Sequence, residues 1–349
     1  MPYSAPVADY LFIFNKIVNF KQLTQEDRFS EVTMDLVAAI LEEAGKISTE
    51  VLAPLQRVGD TNPAFLENGV VRTSPGFGKA YQSIADNGWI GMAASSEYGG
   101  MGLPQSLMHA VNEMMGGACL SLQLNPVMTQ GQIEALEHHA SEDLKKLYLP
   151  KLISGEWSGT MNLTEPHAGS DVGALKSVAV PNEDGSYSVS GQKIYISWAD
   201  NDFTENVCHL VLARLPGSPE GTKGISLFMV PKLIPDKFGQ PGVANTLKVV
   251  SLEHKLGLHG SPTAVMQYEN ALGWIVGEPN QGMASMFTMM NNARLGVGGQ
   301  GIAVAEAAYQ KALSFSMERV QGQPLGGGKT ILGHADVRRM LAEMKADVF

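Results

Sequence analysis

The sequence is poor in cysteine. Only two of its 349 residues are cysteines, Cys119 and Cys208. They lie far apart, and neither has Cys or His neighbours at metal-ligand spacing. This pattern argues against a disulfide framework and against a zinc site, and it indicates a reducing compartment. We therefore expect no metal.

Runs of basic residues and long apolar runs are also lacking. The chain has 25 Lys and Arg against 35 Asp and Glu, a formal net charge of −10 at pH 7. Nucleic acids and anionic membranes bind concentrated positive charge, so we expect neither as a partner. A small anionic ligand needs only a few well-placed cations and stays open.

The apolar stretch at residues 10–14 runs into polar residues without the cleavage site of a secretory signal. Elsewhere, no apolar run is long enough to span a bilayer. We expect a soluble, cytoplasmic protein. A chain of this length can form two or three domains.

Hydrophobic periodicity changes twice along the chain. Apolar residues at helical spacing predict a helix over about 30–55 that ends near Pro54, and further helices at 108–124 and 144–153. Alternating or β-rich runs then predict strands. The strand-like runs are 187–191, 192–197, 209–214 and 225–230. No helical pattern separates these runs, so antiparallel pairing in a barrel or sandwich is favoured over βαβ units.

Helical character returns after Gly282 and continues to Arg319. A Gly- and Pro-rich loop follows at 322–328, and then a final helix whose apolar face has no partner downstream. We predict an α+β multi-domain protein with three parts. These are an N-terminal helical domain at 1–157, a middle antiparallel β-barrel or sandwich domain at 158–280, and the beginning of a C-terminal helical-bundle domain at 281–349.

Two apparent phosphate motifs fail in context. Residues 296–301 satisfy G-x-G-x-x-G, but no strand precedes them, so we interpret them as glycines of a close-packed helix. Residues 328–330, Gly-Lys-Thr, lack the earlier glycine and the strand of a P-loop. His138 and His139 are adjacent on a helix, and we interpret them as a solvated surface pair.

Five segments do not have the composition of plain scaffold. The most specific reads Leu-Thr-Glu-Pro-His-Ala-Gly-Ser-Asp and is followed by a strand that contains Lys-Ile-Tyr-Ile-Ser. Each segment alone is compatible with a turn, a strand or a helix end. The five are Glu97 to Leu103, Leu163 to Asp171, Gly191 to Ser197, Glu253 to Thr263, and the pair 291–295 and 318–322 on either side of the long helix.

Together and in this order the segments resemble the acyl-CoA dehydrogenase family. The family signature is a Thr-Glu-Pro-x-Ala-Gly-Ser-Asp loop followed by a strand that reads Lys-x-Trp-Ile-Thr. The resemblance covers essentially the whole chain. It is strongest to the branch that acts on 3-methylmercaptopropionyl-CoA. It implies an FAD cofactor, an acyl-CoA substrate, an electron-transferring flavoprotein as acceptor and a homo-oligomer, either dimer or tetramer.

The resemblance implies that the signature loop lines the edge of the flavin. The backbone at Met161 and Leu163 and the hydroxyl of Thr164 would hydrogen-bond the pyrimidine side of the ring. Gly169 would admit close backbone approach, and Ser170 would bind the cofactor's phosphate or the acyl-CoA. Donors at this edge favour hydride acceptance, because the reduced ring gathers negative charge there.

On the following strand, Tyr195 matches the Trp that packs against the flavin in the family. Ser197 matches the Thr near flavin N5, and Ile196 lies between them. Both substitutions keep the chemical character of the side chain. Arg319 matches an Arg that reaches the FAD pyrophosphate of a neighbouring subunit; a helix-terminal cation is the alternative.

Arg294 and Asn291 match positions that contact the CoA moiety, and Thr222 is a weaker candidate for the same ligand. The pocket is expected to include the 119–123 region. Four methionines are candidates for contact with a thioether acyl chain or for a plain helix core. They are Met283, Met286, Met289 and Met290.

The family reaction needs a Glu that removes the α-proton of the thioester. That Glu usually lies in the C-terminal domain and in a minority of members stands next to the Arg matched by Arg294, where this chain has Ala293. We therefore predict no catalytic base within these residues, a truncated C-terminal domain and little or no turnover. A catalytically silent flavin- or acyl-CoA-binding module, one half of a complementing complex, and an acyl-CoA oxidase stay open as alternatives.

Overall fold

The computed structural model describes residues 3–325 and 327–349. Gly326, in the loop predicted at 322–328, lies outside the described residues. Eight α-helices occur among the described residues: α1 Val7–Phe12, α2 Met34–Ile47, α3 Leu55–Thr61, α4 Phe77–Asp86, α5 Gln105–His139, α6 Glu142–Ser154, α7 Gly282–Glu318 and α8 Ala335–Val348.

Eleven β-strands occur in the same part of the chain. They are β1 Phe65–Glu67, β2 Val70–Arg72, β3 Trp157–Asn162, β4 Val178–Pro181, β5 Tyr187–Ser197, β6 Asn206–Arg214, β7 Ile225–Pro231, β8 Leu233–Pro235, β9 Pro241–Ala244, β10 Leu247–Leu252 and β11 Thr263–Val276. The predicted α+β organisation, with helices on both sides of a β-rich middle, is confirmed.

The helix predicted over 30–55 is present in interrupted form. It begins at Met34, where the Thr33 side chain caps the first turn by accepting the Leu36 N–H at 3.2 Å. The α-helix ends at Ile47 and continues as one π turn, after which Pro54 precedes the start of α3. Proline fits this break because it lacks the N–H that a continuing helix needs.

Seven strands of the middle region form one sheet. Hydrogen-bonded pairs link β11 to β5, β5 to β4, β4 to β6, β6 to β7 and β7 back to β11, so five strands close a ring. One residue pair joins β4 to β6. The buried side chains of Val189, Val211 and Phe228 belong to its core.

The expectation of purely antiparallel pairing is wrong at two places. β3 runs parallel to β6 over six residue pairs, and β4 is parallel to β6. The reason is topological: β4 and β5 lie in the chain between β3 and β6, so no hairpin constrains the direction of β3. β3 is the last strand in the order of this sheet, and the signature loop begins where β3 ends.

The helical interpretation of residues 296–301 is confirmed, because they lie within α7. Close packing around these glycines is not found. A Cβ built on Gly298, Gly299 or Gly301 would meet no atom within 4 Å among the described residues. On α8, only Leu341 of the predicted apolar face is buried, and Met340 is exposed.

Contacts divide the chain into two compact units. One comprises Met1–Gln56, Pro104–Leu120 and Gly296–Phe349, and the other comprises Arg57–Leu103 and Ser121–Leu295. The three-domain division stays a prediction. In the part of the chain that the structure describes, no helix combines the length and apolarity needed to cross a membrane.

Candidate functional site

The signature loop begins where β3 ends and has a mixed surface. Leu163 is buried, whereas Met161 and Thr164 are partly exposed. Glu165 and Ala168 exchange two backbone hydrogen bonds of 3.0 Å, which form a tight turn and leave Gly169 and Ser170 exposed. The loop therefore presents backbone and hydroxyl groups at the surface and is anchored by the residues between them.

A buried ion pair lies beneath this loop. Lys193 on β5 donates to Glu165 Oε1 at 2.9 Å and to the Leu163 carbonyl at 3.0 Å. The exposed fractions of the two side chains are 0% for Lys193 and 3% for Glu165. Glu165 also accepts the N–H groups of Lys176 at 2.7 Å and Ser177 at 3.0 Å and the Ser177 hydroxyl at 2.6 Å. The carboxylate thus has four donors, as a buried charge requires.

Burial and pairing act on both pKa values. Burial lowers the pKa of Lys193 to about 8, although Glu165 opposes this shift. Burial by itself would raise the pKa of Glu165, but Lys193 and the hydrogen bonds from Ser177 and Lys176 outweigh it and hold that pKa below its ordinary value. The direct contact of 2.9 Å and the further donors on the carboxylate favour the charged form of both groups.

A β-bulge places Tyr195 on the surface of β5. The pairing with β11 shifts between Lys193↔Met266 and Ile196↔Ala264, so two residues of β5 oppose one of β11. Tyr195 has φ +60°, a left-handed conformation that is strained for an aromatic residue, and its side chain is 61% exposed. At this point an exposed aromatic ring, carried on a strained backbone, offers a flat surface that a flat ligand can contact.

The same strand holds the loop directly. The Ile194 N–H donates to the Thr164 carbonyl at 2.9 Å. Ile196 is buried and Ser197 is partly exposed. The structure thus brings loop residues 163–164 and strand residues 193–197 together, as a shared site requires.

Arg214, at the end of β6, joins two further segments and was not singled out from the sequence. Its guanidinium donates to the carbonyls of Leu175 at 2.9 Å, Pro219 at 2.9 Å and Gly221 at 2.8 Å, and also to that of Gly173. This clamp packs the end of the signature loop against the exposed Thr222 segment. A guanidinium bound to carbonyl groups leaves no sequence motif, which is why pattern analysis misses it.

A polar network lies inside the sheet beneath the loop. Tyr268 donates to Asn162 Oδ1 at 2.9 Å, Asn162 donates to Thr160 Oγ1 at 2.8 Å, and Thr160 Oγ1 lies 2.7 Å from His209 Nδ1. His209 is fully buried, and its Nε2 has no hydrogen-bond partner among the described residues. Burial, reinforced by the charge of Lys232, lowers the pKa of His209 to about 3, so the ring is neutral.

On α7, Arg294 and Asn291 are exposed and contact each other. Arg294 Nη1 donates to Asn291 Oδ1 at 3.1 Å, and the guanidinium lies 5.0 Å from the Phe287 ring centroid. Ala293, at the alternative base position, is buried and has no titratable group. Met286 and Met289 are fully buried, as the helix-core alternative predicts.

The interpretation of His138 and His139 as a solvated pair is wrong for His139. Its Nε2 lies 2.7 Å from the Thr288 hydroxyl, and partial burial together with His138 lowers its pKa. His138 is exposed. Arg319 lies in the other compact unit, is exposed and donates to Gln321 Oε1 at 3.2 Å. Its predicted cofactor contact stays a prediction.

The 253–263 segment lines a pocket of about 570 Å³ with the 60–66 region. His259 Nδ1 lies 2.9 Å from Asp60 Oδ1, and Lys255 donates to the Ser261 carbonyl at 2.5 Å. These side chains are engaged within the chain. Over residues 3–325 and 327–349, no group of three or more His, Cys, Asp or Glu side chains could hold a metal ion.

The surface at the loop and β5 fits one edge of a flavin. It offers an exposed aromatic ring at Tyr195, partly exposed hydroxyls at Thr164 and Ser197, and free space at Gly169. Among the described residues, a Cβ built on Gly169 would meet the Thr164 methyl group at 3.6 Å and no other atom within 4 Å. The chain itself therefore does not fill the space that a close-lying ligand would occupy.

Three family profiles match consecutive parts of the chain. "Acyl-CoA dehydrogenase, N-terminal domain" matches residues 37–156, the middle domain 160–271 and the C-terminal domain 280–348. The 3-methylmercaptopropionyl-CoA dehydrogenase of Ruegeria pomeroyi is 48% identical over 350 residues, which cover 99% of this chain and 60% of that protein. A butyryl-CoA dehydrogenase of Syntrophomonas wolfei is 34% identical over 99% of this chain and 59% of its own length.

The solved structure of butyryl-CoA dehydrogenase from Megasphaera elsdenii shares the fold, with a TM-score of 0.73 and 22% identity over 90% of this chain and 76% of that chain. The present chain spans about 60% of the length of the two curated relatives. The profiles follow one another in the same order as the α, β and α regions. The chain therefore belongs to the acyl-CoA dehydrogenase family.

Proposed function

We propose that the full protein is an FAD-dependent acyl-CoA dehydrogenase that introduces an α,β double bond into an acyl-CoA thioester. The observation that supports this most strongly is the surface formed by the 163–170 loop and the bulged end of β5, with Tyr195 exposed in a strained conformation. Bound FAD supplies the acceptor for the β-hydride. The chain supplies the binding surface and orients the ligands on it.

The proposed roles follow the chemistry of each group. Backbone at Met161 and Leu163, together with the Thr164 hydroxyl, hydrogen-bonds the pyrimidine edge of the flavin. Ser170 meets a phosphate or the acyl-CoA. Hydrogen-bond donors placed before reaction stabilise the negative charge that develops at this edge without reorganisation.

The strand and helix residues complete the proposed site. Tyr195, Ile196 and Ser197 lie along the flavin ring. Asn291 and Arg294, which already contact each other at 3.1 Å, bind the CoA moiety, and Thr222 assists them. Arg is suited to this role because its planar guanidinium meets phosphate oxygens in pairs.

We propose that the catalytic base is a Glu outside these 349 residues, since the alternative position is Ala293. The base removes the α-proton as the β-hydride leaves, so both hydrogens and both electrons are accounted for. The 349-residue chain alone is then expected to bind cofactor with little or no turnover. Normal steady-state activity from this chain alone would refute that expectation.

For the substrate we propose 3-methylmercaptopropionyl-CoA or a similar short- or medium-chain acyl-CoA. The support is the 48% identity to the Ruegeria pomeroyi enzyme of that name. We further propose an electron-transferring flavoprotein as acceptor, a homo-oligomer of two or four chains, and a cytoplasmic location.

The test is anaerobic reduction of bound FAD. The full-length protein, loaded with FAD, is mixed with 3-methylmercaptopropionyl-CoA or butyryl-CoA, and the visible flavin absorption is followed, with free CoA as the control. The proposal predicts bleaching with the thioesters and none with CoA. FAD binding without bleaching would favour a silent binding module, and rapid reoxidation of the bleached flavin once oxygen is admitted would favour an acyl-CoA oxidase.

A further inference from the structure

We infer that the buried Lys193–Glu165 pair is a positioning device that sets the flavin-facing edge of the signature loop. This inference rests on the proposed function, because it concerns the same flavin surface. It adds two residues that make no proposed contact with the cofactor. Both would act through the backbone that they hold.

The pair holds the two ends of the 163–177 segment. Lys193 binds the carbonyl of Leu163 at one end, at 3.0 Å. Glu165 binds the N–H groups of Lys176 and Ser177 at the other end, at 2.7 and 3.0 Å. One buried contact of 2.9 Å between the two side chains therefore closes the base of the loop.

The hydrogen bond to Leu163 also fixes the direction of a donor. In a planar trans peptide the carbonyl and the following N–H point in opposite directions. Since the Leu163 carbonyl points to the buried Lys193 ammonium group, the Thr164 N–H points away from it. Lys193 thus orients the peptide unit at which the flavin edge is proposed to lie.

Lys193 also ties the loop to the aromatic side of the site. It lies on β5 two residues before Tyr195 and just before the bulge that exposes that ring. Together with the hydrogen bond from the Ile194 N–H to the Thr164 carbonyl at 2.9 Å, this side chain sets the separation between the loop donors and the Tyr195 surface. The other half of the pair, Glu165, keeps the ammonium group in place.

The experiment measures FAD affinity, flavin potential and loop protection in three variants. Lys193→Met removes the hydrogen bond to the Leu163 carbonyl. Lys193→Met/Glu165→Gln removes it without leaving an unpaired buried charge, which would itself destabilise the protein. Lys232→Met is the matched control, because it breaks another ion pair of the same unit, to Asp200 at 2.6 Å.

We expect both Lys193 variants to raise the FAD dissociation constant at least about tenfold. The midpoint potential of the FAD that still binds should become more negative, because the donors no longer align with the developing charge. In the FAD-free protein, amide exchange should accelerate over residues 163–177 and stay unchanged in the strands of the sheet. Lys232→Met should leave all three quantities unchanged.

The outcomes separate the two claims. If the unmodified protein binds no FAD, the proposed function fails and this inference falls with it. If it binds FAD and both Lys193 variants bind with the same affinity and potential, only the inference is overturned. It is also overturned if both Lys193 variants unfold while Lys232→Met folds, because the pair then serves general stability.

Discussion

At the scale of single residues, Gly169 is a position at which FAD affinity and the stability of the fold can be tested separately. Its surroundings leave room for a methyl group, because among the described residues an added Cβ would meet the Thr164 methyl at 3.6 Å and no other atom within 4 Å. We predict that Gly169→Ala leaves the free energy of unfolding within about 1 kcal/mol but weakens FAD binding about tenfold or more, because the methyl group occupies the approach path of the ligand. Urea unfolding and FAD titration test this.

The matched control is Gly257→Ala, at a glycine whose added Cβ would meet nothing within 4 Å among the described residues. This substitution should affect neither quantity. Equal FAD affinity in Gly169→Ala and the unmodified protein would exclude Gly169 from the contact surface.

His209 makes the fold sensitive to acid. Its pKa is about 3 when folded against an ordinary 6.5, so below 6.5 the unfolded chain takes up a proton that the folded chain does not. Stability from this group is complete above pH 6.5 and falls as the pH drops toward 3. We expect a loss of about 2 kcal/mol between about pH 7 and pH 5.

In His209→Gln that part of the pH dependence should disappear, whatever its effect at neutral pH, because glutamine does not titrate. Unfolding free energies of the two proteins at both pH values provide the comparison. An equally steep acid loss in the variant would show that His209 is not its source.

At the scale of elements, Arg214 is predicted to hold the 173–175 segment, which follows Ser170, and the 219–221 segment, which precedes Thr222. Arg214→Met leaves four backbone carbonyls without their donor and should cost about 2 kcal/mol of stability. Amide exchange should accelerate over 169–175 and 219–222. Arg72→Met, which breaks an exposed pair with Glu67 at 3.2 Å, should change neither. Amide exchange over 169–175 and 219–222 that is as slow in Arg214→Met as in Arg72→Met would contradict the clamp.

Hydrophobic patterns located only part of the elements. The 3.6-residue pattern located α2 and α6, helical character located α7, alternation located β5, and β-rich apolar runs located β6 and β7, which are buried along nearly their whole length. The bulge at Tyr195 could not be foreseen in this way, since it depends on how β5 pairs with β11, far away in sequence. The parallel pairing of β3 with β6 likewise depends on contacts between strands that are not neighbours in the sequence.

The candidate site, too, could be predicted only in part from the sequence. The signature loop and the strand after it were located by resemblance, and the structure joins them through the Ile194 to Thr164 hydrogen bond. Lys193 and Glu165 lie within these segments but were assigned no role, and Arg214 was not singled out. Lys193, Glu165 and Arg214 bind backbone or each other, and such contacts are fixed by tertiary folding and not by local composition.

At the scale of the whole molecule, we predict that Arg319 links cofactor binding to assembly. If it reaches the FAD of a neighbouring subunit, Arg319→Met should weaken FAD binding about tenfold, since a charged contact to phosphate is lost. Arg338→Met, at another exposed arginine of the same unit, is the control. FAD titration and light scattering on the same samples test this prediction. A monomer that binds FAD equally well in both variants would contradict it.

What most needs to be tested is whether this chain binds FAD at the proposed surface. The decisive measurement is a titration of the purified, FAD-free chain with FAD, followed by flavin fluorescence. We predict saturable binding of one FAD per chain, with affinity reduced in Gly169→Ala and retained in Gly257→Ala. No saturable binding, or binding that is the same in both variants, would contradict the assignment of the 163–170 loop and the end of β5 as the flavin surface.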